Sequence, residues 1–237
     1  MQEYFEPRFV EQLFDKMSSS YARMNYITSF GFSERWRRKC IKELKMEEGK
    51  VIADLMAGMG ECWKFILKNS DKTSKLIGLD FSTEMIERAK KNKEKFKGYT
   101  IEILQENIFN NSIENESVDY VVSGFGLKTF NDHQLEKLAE EIERILKPSG
   151  RFSLVDVSIP KIKILKCFYI FYLKNIIPLI GKIFLENPEV YQMLGVYTQE
   201  FKNSRHVEKI FRKKNFYVDY IEYFYGCASG IKGHKIR

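Results

Sequence analysis

The chain has 237 residues, is 44% hydrophobic and 30% charged, and carries a formal net charge of +7. These proportions suit one soluble domain with a sizeable core and exclude a disordered or fibrous chain. Four scattered cysteines (Cys40, Cys62, Cys167, Cys227) include no C-x-x-C pair, which argues against a zinc site or a disulfide framework and for reduced thiols in a cytoplasm.

In chain order, Met1 to Val10 lacks the apolar run of a secretion signal. The stretch Pro7 to Leu44 is expected to be helical, with Phe9, Leu13 and Met17 on one face. Val51 to Leu55 is apolar without alternation, as expected of a parallel strand covered on both faces. A turn, Ala57-Gly-Met-Gly60, then leads to a helix over Glu61 to Asn69, and a second buried strand ends at Asp80. Ser82 can cap the next helix, which buries Met85 and Ala89. Further strands are expected at Thr100 to Glu106, Val118 to Ser123 and Arg151 to Val157. The last follows a helix bearing Leu135, Leu138, Ile142 and Ile145 that stops at Lys147-Pro-Ser-Gly150. Beyond Pro160 the alternation ends. Lys161 to Leu185 is apolar and aromatic, interrupted by Lys163, Lys166, Lys174 and Lys182, and broken by Pro178, so it does not read as a membrane span. A helix near Val207 to Phe211 and strands at Tyr217 to Phe224 and Gly226 to Ile231 close the chain. The pattern is doubly wound α/β, read as one domain over 1–237, with a helical entry segment over 1–45 and a helical cap inserted over 161–205.

The strand, glycine turn and acid form an adenosine-nucleoside site. Gly58 and Gly60 let the backbone approach a ligand, and Asp80 stands where an acid accepts hydrogen bonds from ribose. Spacing alone leaves a dinucleotide and S-adenosylmethionine both open. The third glycine of a dinucleotide fingerprint is replaced by Trp63, and no Lys-Ser/Thr pair marks a P-loop. Asp54 would repel a pyrophosphate but could hold an ammonium, directly or through water. Charge therefore favours the methyl donor.

Several motifs together resemble a known family. Leu146-Lys-Pro-Ser-Gly150 resembles the L-K-P-G-G turn of class I S-adenosylmethionine-dependent methyltransferases. Phe125-Gly-Leu-Lys128 with Asn131-Asp132 resembles the F-G-[LI]-R-N motif of the ubiquinone and menaquinone biosynthesis C-methyltransferases. Phe14-Asp15, Tyr21, Met24-Asn25, Ser29-Phe-Gly31 and Trp36-Arg37-Arg38 are similar to that family's entry segment, Val155-Asp-Val-Ser158 with Pro160 to its E-F-S-x-P, and Gly226 to His234 to its ending.

The resemblance implies a Rossmann-like seven-stranded mixed sheet, order 3-2-1-4-5-7-6, with helices on both faces. It places the methionine part of S-adenosyl-L-methionine against Ala57, Gly58, Met59 and Gly60, the ribose on Asp80, and the adenine near Phe81, Met85, Asn107 and Ile108, while Gly124 stands where the family usually has serine. It makes Tyr21, Phe125 and Lys128 acceptor-site residues and adds Tyr197 from the cap, where the family's Y-L-x-E-S-I reads Met193-Leu-Gly-Val-Tyr-Thr198. Lys128 replaces the family arginine, which changes a planar fork into a point charge. Beside a phenolic oxygen this cation would favour the ionised, nucleophilic ring. Tyr21 could hydrogen-bond that oxygen. His133 is the only histidine near the motif and has the pKa class of a general base, against the plainer reading of an exposed residue at a helix start. No metal is called for.

The implied function is C-methylation of a quinol-like ring, demethylmenaquinol or a benzoquinol. The alternatives are methylation of another phenolic small molecule and a non-catalytic S-adenosylmethionine-binding scaffold, with a dehydrogenase more distant. The partner expected is a small aromatic acceptor and not nucleic acid, since the lysines are dispersed without a basic-aromatic motif. A cytoplasmic location is expected. Peripheral contact of the basic cap with the inner face of a membrane, and a homodimer, are kept open.

Overall fold

The computed structural model of the protein describes residues 3–177, 179 and 188–237, with the backbone alone for 188–191. Seven strands, β1 (Val51–Leu55), β2 (Lys75–Asp80), β3 (Thr100–Gln105), β4 (Val118–Gly124), β5 (Leu146–Val157), β6 (Phe216–Tyr223) and β7 (Ala228–Lys235), form one sheet in the order β3-β2-β1-β4-β5-β7-β6. The first five run parallel, and β7 is antiparallel to both β5 and β6. This is the class I methyltransferase arrangement expected above.

Alternation along the strands divides the core into two layers. Ala53, Leu55, Val121, Phe152 and Leu154 face α6 (Asp132–Ile145) and α9 (Arg205–Phe211), and meet Leu135, Leu138, Ile142, Val207 and Phe211. On the other face Ile52, Leu76, Tyr120 and Val122 meet Ile41 of α3 (Phe32–Lys42), Trp63 and Ile66 of α4 (Trp63–Asn69), and Ala89 of α5 (Thr83–Lys93). Ser82 caps α5 by accepting from the Met85 N–H, and Asn131 and Gln134 close a reciprocal capping box on α6.

Several boundaries differ from expectation, among them the last strand, which runs Ala228–Lys235 and not Gly226 to Ile231. The N-terminal segment is broken into α1 (Pro7–Met17), α2 (Tyr21–Thr28) and α3. The second break turns on Gly31, whose φ of +74° is costly for a residue with a Cβ. The glycine turn delays α4 to Trp63. Strand β5 starts at Leu146 rather than Arg151. Leu146 pairs with Val118 and Arg151 with Tyr120, so Lys147 to Gly150 loop out opposite the single residue Asp119. The Lys147 ammonium donates to the Asp119 carboxylate across that bulge at 2.9 Å.

In the cap, α7 (Lys163–Phe171) runs into a π-helical turn at Tyr172–Ile176, and α8 (Pro188–Phe201) returns to the body. Pro178, Lys182 and Leu185, named above as a break and the end of the basic stretch, lie outside the described residues. Among the described residues, no helix is long and apolar enough to cross a membrane.

Trp63 accounts for the missing third glycine. Its indole is fully buried in space left by two other glycines: a Cβ on Gly60 would lie 2.5 Å, and one on Gly78 2.7 Å, from the ring. Helix and strand therefore pack through one large side chain against two absent ones. Gly78→Ala is expected to cost roughly 1–3 kcal/mol in urea unfolding, the range for overpacking a filled core. Trp63→Phe in the same chain should recover part of that loss, and strictly additive losses would show that the indole is not the obstacle.

Candidate active site

The strand order reverses between β1 and β4, and in open α/β sheets this is where a crevice opens at the carboxyl ends of the strands. Gly58 after β1, Asp80 at the end of β2, Asn107 after β3 and Gly124 at the end of β4 all line one cleft there. Met56 and Phe125, next to the ends of β1 and β4, hold positive φ of 57° and 77°. Such backbone costs about 1–3 kcal/mol per residue and gathers at functional sites. Met56 carried no signal in the sequence reading. It fills space beside Gly126, where a Cβ would lie 2.5 Å from its sulfur.

Asp80 is buried at the cleft floor. One oxygen accepts the Gly58 N–H at 2.7 Å and the other the Ser82 N–H at 3.0 Å, so the acid fixes the glycine turn and still has lone pairs for a ligand. Burial pushes its carboxyl up to about 6, against the backbone N–H groups of Ser82, Gly58 and Phe81. Phe81, Met85 and Ile108 supply apolar lining. The Asn107 side chain accepts from the Phe109 N–H, which shapes the loop after β3.

The turn itself divides unequally. Gly58 lines the cleft. The Ala57 N–H donates to Leu79 O, and the carbonyls of Met59 and Gly60 accept from the Asn92 side chain, so these three stiffen the turn.

Asp54 is buried, and neither of its oxygens has a hydrogen-bond partner; the Trp63 indole N–H beside it lies outside hydrogen-bonding geometry. Burial pushes its carboxyl up to about 8, with Arg37 opposing and Glu61 and Asp80 reinforcing the shift. Asp54 does not line the cleft, whereas Glu61 does.

The entry segment roofs this cleft. Phe5, Pro7, Val10, Phe14 and Tyr21 form its outer wall. The Asp15 carboxylate accepts from the Ser82 hydroxyl at 2.6 Å and the Glu84 N–H at 3.2 Å, tying α1 to the start of α5. Gln134 donates to Phe5 O at 2.9 Å on the other side.

A second, larger cavity lies beyond Tyr21 and Phe125, which line both spaces. Its walls are aromatic and apolar: Phe32 and Trp36 from α3, Tyr169 and Tyr172 from the cap, and Phe224 before β7. Its charged wall residue is Lys128, which is buried. The ammonium donates to Asp156 at 2.9 Å and to Phe125 O at 2.6 Å, and Asp156 also accepts the Lys128 backbone N–H at 2.9 Å. The cation expected to stand beside an acceptor oxygen is thus already paired. One ammonium hydrogen is left over. Asp156 was missed as a site residue, although an acid inside the apolar run Phe152 to Val157 was a legible signal.

Two expected site residues stand elsewhere. His133 is exposed on the first turn of α6 and lines neither cavity. Tyr197 is fully buried and lines neither; it packs against Tyr4 and Phe5 and donates to Tyr4 O, so it fastens the cap to the entry segment.

The model of the ubiE/COQ5 methyltransferase family matches residues 1–235. The chain belongs to that family. It is a methyltransferase, and its cofactor is S-adenosyl-L-methionine. A demethylmenaquinone methyltransferase of Lactococcus lactis is 35% identical over 226 residues, covering 95% of this chain and 88% of the relative. One from Oceanobacillus iheyensis is 30% identical over 228 residues, covering 95% and 94%. In fold the chain is similar to the crystal structure of a SAM-dependent methyltransferase from Aquifex aeolicus, with a TM-score of 0.59 and 18% identity over 84% of this chain and 89% of that one.

The cleft fits this cofactor. Two acids, Glu61 and Asp80, line the cleft beside one cation, Arg37, which leaves an excess of negative charge for a ligand with a sulfonium and an ammonium. The same excess would repel a pyrophosphate.

Two outcomes are expected. Asp80→Ala should weaken S-adenosylhomocysteine binding by about 1–3 kcal/mol in calorimetry, the range for losing hydrogen bonds to a charged group; unchanged affinity would remove Asp80 from the site. The second concerns pH. The folded chain keeps Asp54 protonated up to about 8, while an unfolded aspartate ionises near its ordinary value. Folding therefore takes up protons between those limits, and stability is lost as pH rises through them. The melting temperature of the ligand-free protein should fall from about pH 5 to about pH 8, and Asp54→Asn should flatten that fall. A slope unchanged in the variant would assign the effect to another group.

Proposed function

We propose that the protein methylates a ring carbon of a quinol-like aromatic acceptor, with demethylmenaquinol as the leading candidate and a benzoquinol second. The observation that carries this reading is the aromatic-walled second cavity, which meets the donor cleft at Tyr21 and Phe125. A flat ring held there can turn one face to the donor's methyl group, as attack by the π electrons of a ring carbon requires, while water is excluded. The names of the Lactococcus and Oceanobacillus relatives support the naphthoquinol ring.

The cofactor supplies an electrophilic methyl group on sulfur. Held by Asp80 and the glycine turn, it would offer that methyl group to the ring carbon, and the ring proton would pass to solvent after the transfer. Lys128 contributes its remaining ammonium hydrogen to the ring oxygen and so favours the ionised ring, the hydroxyl proton passing to solvent before the transfer. Asp156 holds the ammonium in place. Burial raises the Tyr21 hydroxyl well above its ordinary value, with Glu61 adding to the shift and Arg37 opposing it, so Tyr21 acts as a hydrogen-bond donor and not as a base. His133, outside both cavities, takes no part.

The cavity's rim favours an amphiphilic acceptor. Phe30 and Phe168, both in the cavity lining, are 80% and 70% exposed, and Lys163 and Lys166 precede Phe168 on the exposed α7. Apolar and basic groups together suit contact with an anionic bilayer. One reading departs from the quinols: Lys128 in place of arginine and the altered cap sequence at Met193 to Thr198 favour a different phenol.

The deciding experiment is mass-spectrometric detection of methyl transfer to demethylmenaquinol and to a demethylated benzoquinol in parallel. A methylated naphthoquinol is expected. No product from either ring, with S-adenosylhomocysteine still bound tightly, would overturn the quinol reading in favour of another phenol. Lys128→Met combined with Asp156→Asn avoids a lone buried charge and should lower kcat roughly 100-fold, the scale for losing one donor to developing negative charge. Anionic vesicles should sediment the protein at low salt and release it at high salt. Equal recovery on neutral vesicles would remove the lysines from the account.

A further inference from the structure

We propose that the buried Arg37–Glu61 pair is the clamp for the amino-acid end of the methyl donor, with Arg37 taking its carboxylate and Glu61 its ammonium. The two side chains come from different parts of the chain. Arg37 lies on α3 of the entry segment, and Glu61 directly follows the glycine turn. They meet with Arg37 Nη2 donating to Glu61 Oε1 at 3.0 Å.

Three observations show more than a structural ion pair. First, the guanidinium is incompletely used. Arg37 is 3% exposed, yet its Nε has no hydrogen-bond partner. A buried donor left unpaired costs about 1–3 kcal/mol, so a partner that arrives later is the economical explanation. Second, the pair stands at the donor cleft, Glu61 in its lining and Arg37 directly behind Gly124. The second oxygen of Glu61 lies 3.5 Å from where a Cβ on Gly58 would stand. Arg37 Nε lies 3.5 Å from where a Cβ on Gly124 would stand, and Gly124 lines the cleft from the β4 side. The serine usual at that position would have its Cβ 3.0 Å from Cys62 Sγ, so glycine leaves the space to Arg37. Third, the charges are complementary. A zwitterionic amino-acid group needs one cation and one accessible carboxylate side by side. Asp54, the acid named from the sequence for this ammonium, lies outside the cleft lining, and Glu61 stands inside it.

The position of the clamp couples the two substrates. The Arg37 guanidinium lies 4.5 Å from the centroid of the Phe125 ring, which divides donor cleft from acceptor cavity. One residue before it, Trp36 lines the acceptor side. Helix α3 thus touches both halves of the reaction, and seating the donor's amino-acid end fixes the wall against which the acceptor rests.

The test compares two ligands by calorimetry. S-adenosylhomocysteine has the amino-acid end, and 5′-methylthioadenosine has the same thioether and nucleoside without it. Arg37→Met should weaken S-adenosylhomocysteine at least about tenfold, as for a lost charge-assisted hydrogen bond, and leave methylthioadenosine within about twofold. Glu61→Gln should show the same selectivity, and Arg37→Lys should restore part of the loss, with melting temperatures reporting any change in packing. Equal weakening of both ligands, or undiminished S-adenosylhomocysteine binding, would overturn the clamp. If Arg37→Met does not fold, the selectivity of Glu61→Gln and Arg37→Lys decides on the same terms. Failure of the unaltered chain to bind S-adenosylhomocysteine would overturn the cofactor assignment and the clamp together, whereas methyl transfer to an unexpected phenol would leave both standing.

Discussion

The site depends on a cluster of buried acids at the point where the sheet changes direction. Asp54, next to last in β1, and Asp80, last in β2, lie within electrostatic reach of one another, Glu61 joins them from the following turn, and Arg37 is the cation set among them. In water these acids would ionise freely; in the fold, burial disfavours their charged forms and lifts Asp54 and Asp80 well above the ordinary aspartate range. Keeping these acids buried therefore costs the fold stability. A cationic ligand restores the balance by making the charged carboxylates favourable again. Recognition of a sulfonium donor then follows from charge before shape enters.

Shape comes from elements added around the sheet. The donor cleft is floored by strand ends and roofed by the entry segment, which is held at Asp15, Phe5 and Tyr4 by α5, α6 and the cap respectively. The acceptor cavity is walled almost wholly by α2, α3 and the cap. The floor of the donor cleft is thus built into the sheet, whereas most of the second cavity's wall lies outside it. An exchange such as arginine to Lys128, held by Asp156 at the end of β5, can alter the acceptor side without disturbing Asp80 or the glycine turn.

Much of this was legible in the residues. Unalternating apolar runs marked β1 and β2, because strands covered on both faces need no polar side. Ser82 and the Leu135, Leu138, Ile142 series marked α5 and α6, where local capping and periodicity agree with the packing. Boundaries were lost where tertiary pairing overrode local signals. Pro148 and Gly150 punctuate the sequence, yet β4 recruits Leu146 across the loop and lengthens β5. Site residues were legible when they sat on the glycine turn or at a strand end. Arg37 was not, because its meaning comes from a partner 24 positions away; Asp156 stood out as an acid in an apolar run, but its role comes from a partner 28 positions away. Tyr197 and His133 were drawn in by motif position and by pKa class. Neither property says which way a helix faces, and the structure turns one into the cap's packing and the other to solvent.

Phe125 shows how the two halves are held in register. It follows β4 with a φ of 77°, a strained value for a bulky residue. Its backbone N–H donates to Val155 O at 2.8 Å, and its carbonyl accepts from the Lys128 ammonium, so the strained turn is fixed on both sides. Its ring then stands between Arg37 on the donor side and the acceptor cavity. A relaxed backbone here would swing the ring out of the divide and release Lys128 from one of its two acceptors. The strain is retained because the same residue sets both the wall between the substrates and the position of the cation. Donor, ring and ammonium are thereby fixed relative to one another by a single turn of the chain.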